Sequence, residues 1–114
     1  MNTYGVLTTQ EELKEHDERS YKTLKNEGTF ELKLKFRGWY RKSFSMGLIC
    51  YFETADGKRF KLFCFRHTKN GVDKYRPNNC NIDFERVNDG TWWKCTVTEN
   101  KSGNFAWTDA VAIG

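Results

Sequence analysis

From Phe30 the chain alternates: Phe30, Leu32, Leu34 and Phe36 are apolar, set against Glu31, Lys33, Lys35 and Arg37. A period of two places one set on each face of a pleated strand, so this stretch predicts a half-buried β-strand and a sheet with one dry face. The strand continues through Gly38 to Lys42, and a glycine inside a long strand predicts a bulge or a sharp coil. Residues 44–54 predict a second strand, Asp56-Gly57 a two-residue hairpin turn, and residues 59–67 a third strand returning beside the second. With that turn, Leu48 opposes Phe65, Cys50 opposes Phe63 and Phe52 opposes Lys61 on one face. Ile49 opposes Cys64, Tyr51 opposes Leu62 and Glu53 opposes Phe60 on the other.

The remainder predicts more strand. Residues 68–81 form a connecting loop, residues 82–87 a strand, Asn88-Asp89-Gly90 a turn and residues 91–99 its partner strand. Residues 105–113 close the chain as a last strand with Phe105, Trp107, Val111 and Ile113 on one parity. Upstream, residues 8–26 predict the one helix: Thr8 or Thr9 caps it, Glu11 or Glu12 completes a capping box, and Gly28 stops it. Leu13, Tyr21 and Leu24 give that helix only a narrow apolar stripe, so it is expected on the surface or as an arm. At 114 residues the chain supports one core, divided here into an N-terminal segment over 1–28 and a β domain over 29–114.

Charge is distributed unevenly. Residues 33–76 carry 12 basic and 3 acidic side chains, a net of +9, against +4 for the whole chain. Rings interleave with these cations, and single-stranded nucleic acid needs that combination: bases stack on ring faces while phosphates sit beside Lys and Arg. The candidate contact residues are the cations Lys33, Lys35, Arg37, Arg59, Lys61, Arg66, Lys69, Lys74 and Arg76 and the rings Trp39, Tyr40, Phe63, Phe65 and Tyr75. Trp39 and Tyr40 are adjacent in a strand and so point to opposite faces, which turns one of them outward. Trp92 and Trp93 lie among Asp83, Glu85, Asp89 and Glu99 and are assigned to packing.

The four cysteines, at 50, 64, 80 and 95, contain no close C-x-x-C pair of the kind a zinc knuckle uses. They are read as small buried hydrophobes, with Cys50 and Cys64 on opposite faces and therefore unbridged. No metal or other cofactor is expected. His16 and His67 are the only histidines, and no G-x-S-x-G, P-loop or H-E-x-x-H motif occurs, so no enzyme is expected. No stretch approaches the ~18 apolar residues of a membrane helix, and residues 1–7 lack the basic and apolar regions of a signal peptide. A cytoplasmic location without membrane association is the resulting expectation.

A long first strand interrupted by Gly38, a three-strand meander, a connecting segment and a final hairpin resemble the order of the oligonucleotide-binding (OB) fold. The aromatic and basic content of residues 33–76 resembles compact phage-encoded single-stranded-DNA-binding proteins of that fold. The resemblance implies a mainly β protein: an OB-like antiparallel barrel of five to six strands preceded by one α-helix. It further implies a sequence-tolerant binder of single-stranded DNA, with RNA as a second ligand class. Such a protein is often a homo-oligomer, works beside replication or recombination proteins and acts in the host cytoplasm. The acidic-first N-terminal helix and the lack of a long acidic-tipped tail depart from the bacterial single-strand binder. The alternative function is a small phage or mobile-element protein that modulates a host protein through surface tryptophans and the charged helix.

Overall fold

A computed structural model describes residues 18–42 and 45–114. Among these residues seven strands share one sheet: β1 (Lys22–Thr23), β2 (Gly28–Lys42), β3 (Ser45–Glu53), β4 (Arg59–Lys69), β5 (Val72–Arg76), β6 (Trp92–Glu99) and β7 (Phe105–Ile113). Their order is β1-β4-β3-β2-β6-β7, with β5 also paired to β4. The mainly β class expected from the alternation holds, but the closed barrel does not. The outer edge of β4 is taken by β1 at Phe60 and Lys61 and by β5 from Phe65 onward. No ladder joins β4 to β7. Instead the Asn78 and Asn79 amides donate to the carbonyls of Trp107 (3.2 Å) and Thr108 (2.7 Å), so a loop lies along the edge that closure requires.

The predicted helix over 8–26 is also corrected where it is described; residues 8–17 lie outside the described residues. Glu18–Ser20 is a 3-10 turn, Lys22–Thr23 is strand β1, and there is no α-helix among the described residues. Tyr21 and Leu24 explain the extended path. Leu24 enters the main core, whereas Tyr21 packs edge-on against Phe36 and Tyr51 in a second cluster on the opposite face of the sheet. Helical residues three apart share one face, so a helix would not deliver this pair to two clusters.

Local shifts decide which face each side chain takes. In β2 the register breaks between Leu34 and Phe36, leaving Lys35 as the extra residue of a bulge three positions before Gly38. Leu32 and Leu34 therefore face the main core, Phe36 turns to the other face, and Arg37 turns inward. At the β3–β4 hairpin, Thr54 N–H donates to Lys58 O (2.8 Å) and Gly57 N–H to Thr54 O (3.0 Å), with Gly57 at φ +89°. This is a three-residue loop with glycine in the left-handed position, one residue longer than the predicted turn. Leu48 consequently opposes Cys64, Cys50 opposes Leu62 and Phe52 opposes Phe60.

The predicted loop over 68–81 is mostly a hairpin, with Asn70 (φ 53°) and Gly71 (φ 75°) forming the two-residue turn between β4 and β5. The predicted strand over 82–87 is irregular: Phe84 and Val87 plug the core, with Phe84 between Trp93 (4.8 Å) and Trp107 (4.7 Å). A further shift at Thr96/Val97 puts Trp107 and Ala110 on the core face of β7 and leaves Val111 exposed.

All four cysteines are buried and free, and the longer hairpin loop brings Cys50 and Cys64 to the same core face, correcting their predicted separation. Burial pushes the Cys64 and Cys95 thiols well above the ordinary thiol value. The unfolded chain releases these protons near pH ~8.5 and the folded chain holds them. Their contribution to stability is thus complete below that pH and is lost as pH rises above it. Urea midpoints are expected to fall between about pH 7 and 10, and native protein should react only slowly with a thiol-specific disulfide reagent. Fast labelling of the native chain would contradict this burial.

Candidate nucleic-acid interface

On the face of β4 away from the core, the odd-numbered residues stand in line: Arg59, Lys61, Phe63, Phe65, His67 and Lys69. β5 adds Lys74 opposite His67 and Arg76 opposite Phe65. β3 contributes Ile49, Tyr51 and Glu53 to this face, and β2 contributes Tyr40. Rings and cations that are interleaved in sequence are therefore interleaved on one surface. The register slip at the β3–β4 loop causes this, because it separates Phe63 and Phe65 from Cys50 and Leu48, which stay in the core.

Phe65 is 43% exposed, and its ring lies over Gly47, where an added Cβ would meet the ring at 3.0 Å. Tyr40 packs edge-on to Phe63 at 5.2 Å, and the Lys61 ammonium sits 6.0 Å from the Phe63 ring. Lys61, Lys69 and Lys74 have no carboxylate within salt-bridge distance among the described residues. Arg59 is locally engaged: it pairs with Glu53 (3.3 Å), donates to Ser20 (2.9 Å) and lies over Tyr21. Arg76 donates from Nη1 to the carbonyls of Pro77, Asn78 and Cys80, fixing the loop that follows β5. Lys33 is half-buried on the same side of the sheet as Glu53, and Lys35 in the bulge reaches Glu53 at 4.0 Å.

Four candidates lie elsewhere. Arg37 is fully buried, its Nε donating to Asp89 (3.1 Å) and its Nη1 to Phe84 O (2.9 Å) and Glu85 O (3.1 Å), so it braces the 84–89 segment and does not reach this face. Trp39 and Tyr75 pack edge-on at 5.0 Å against the main core. Arg66 opposes Tyr75 and points away from the ring and cation line. Of the adjacent pair in β2, Tyr40 is thus the outward ring. Sequence reasoning could not separate these residues, because the bulge at Lys35 inverts the parity of the rest of β2 and the longer loop after Thr54 inverts that of β4.

A hollow of about 490 Å³ lies among His67, Lys69, Lys74 and Arg76. His67 Nε2 is enclosed there without a hydrogen-bond partner among the described residues, and burial, helped by the Arg76 charge, lowers its pKa below the ordinary histidine value. The hollow therefore draws its positive charge from the lysines and arginine. Among the described residues no group of three or more His, Cys, Asp or Glu side chains is placed to hold a metal, and no helix is long and apolar enough to cross a membrane. No family model, curated protein or solved structure matches the chain.

Proposed function

We propose that this protein binds single-stranded nucleic acid, DNA foremost, without sequence preference along the outer face of β4 and β5. It acts as a non-catalytic cytoplasmic protein that shields exposed strands during replication or recombination. The observation that carries this reading is the line Arg59, Lys61, Phe63, Phe65, His67 and Lys69 on one parity of β4, flanked by Lys74 and Arg76. From Arg59 to Lys69, across 11 residues, that line extends about 33 Å at ~3.3 Å per step, long enough to follow several nucleotides. A face meant only for water does not need exposed phenylalanine, and a core face does not hold this many cations. β2 shared between β3 and β6, with β7 running back toward β4, supports an open variant of the OB architecture.

The test is tryptophan fluorescence during titration with oligo(dT), oligo(U) and duplex at several salt concentrations. Saturable binding favouring single strands and weakening with salt is expected. Lys69→Ala and Lys74→Ala should each flatten the slope of log affinity against log salt by about 0.7, the single-strand value per phosphate contact. Arg76→Ala is a poorer probe, since its guanidinium holds three loop carbonyls. Absence of binding at low salt, or slopes unchanged in both lysine variants, would remove this face as a nucleic-acid site.

A further inference from the structure

The unclosed seam between β4 and β7 leaves a cleft of about 320 Å³. Five aromatic residues, Tyr40, Phe63, Phe65, Phe105 and Trp107, line it together with Asn78. We infer that this cleft is a nucleobase pocket: a single strand crossing the β4 face turns one base into the seam, where it stacks on these rings and meets Asn78. The inference rests on the proposed nucleic-acid reading and adds a second, base-dependent element to it.

Three observations favour a base as the occupant. Its volume lies at the small end of ligand pockets, ~300–1,000 Å³, and suits one planar heterocycle rather than a larger ligand. Phe63 and Phe65 line the cleft and also belong to the cationic line, so a phosphate held by Lys61 or Lys74 is continuous with a base in the seam. Among the described residues no charged side chain lines the cleft, which suits a neutral base, and an amide offers both a donor and an acceptor to a base edge. An added peptide strand fits less well. The β4 edge is taken by Leu24 N–H at Lys61 O and by β5 from Phe65, while Asn78 and Asn79 occupy β7 at Trp107 and Thr108. The gap is shorter than the ~5–6 residues of an ordinary strand.

Ala106 also lines the cleft, so Ala106→Leu fills it without touching a lysine of the face. Oligo(dT) and a base-free strand of the same length, keeping sugar and phosphate, are titrated against wild type, Ala106→Leu and Lys74→Ala. Ala106→Leu is expected to weaken oligo(dT) binding about 5- to 150-fold, the range for one stacked base, with its salt slope unchanged and no effect on the base-free strand. Thermal unfolding checks that the variant folds. If it does not, Asn78→Ala replaces it, keeping the backbone bond to Trp107 and expected to weaken oligo(dT) about 3- to 10-fold. Wild-type affinity in the folded cleft variant, with Lys74→Ala still flattening the slope, would overturn the pocket and leave the face intact. No binding by wild type would overturn both.

Discussion

Arg37→Ala is expected to cost about 3–5 kcal/mol of folding stability, the range for removing one partner of a buried ion pair. The side chain is 0% exposed, and its guanidinium bonds Asp89 and the carbonyls of Phe84 and Glu85. Truncation leaves those acceptors facing a void inside the protein and releases the segment that carries Phe84 into the core. Against a total stability of ~5–15 kcal/mol this is a large fraction. Arg37→Lys should recover only part of it, because one ammonium cannot reproduce the planar fork. Urea unfolding of the three proteins measures the difference, and a loss under about 1 kcal/mol would mean that Arg37 is not buried in solution.

The largest effect on binding is expected from Phe63→Ala combined with Phe65→Ala. Each ring that stacks a base contributes roughly 1–3 kcal/mol, so either substitution should weaken oligo(dT) about 5- to 150-fold, and the pair more than either alone. Stability should change much less than for a core phenylalanine, since Phe65 is 43% exposed and Phe63 is half-buried, with Tyr40 against one edge. The salt slope should stay at the wild-type value because no cation is lost, the reverse of the lysine variants. Unchanged affinity in the double variant would assign these rings to another partner, and a pull-down for a protein ligand would follow.

Much of this could be read from the residues alone. The alternation from Phe30, the strands around the Asp56-Gly57 turn, the closing strand pair and the concentration of cations over 33–76 all appear in the fold. Eight proposed contact residues, Tyr40, Arg59, Lys61, Phe63, Phe65, Lys69, Lys74 and Arg76, stand on one face, with Lys33 and Lys35 on the same side of the sheet. Sequence reasoning misses the β4–β5 hairpin and reads it as a loop: Asn70-Gly71 carries a turn signal as strong as Asp56-Gly57, but the surrounding residues lack the apolar alternation of a buried strand. That Asn78, Phe105 and Trp107 line one cleft with Phe63 had no signal in the sequence, since β7 returns beside β4 only in the fold.

By itself the sequence determined that this is a mainly β chain with a basic middle, because side-chain alternation and composition act locally. Only the tertiary structure decided which residues share a face. One extra residue at Lys35 and one more in the loop after Thr54 each invert the parity of the strand that follows. The first sends Arg37 into the core, and the second brings Phe63 and Phe65 out beside the cations. A strand side chain has only two directions to take, so a shift of a single residue exchanges core for surface.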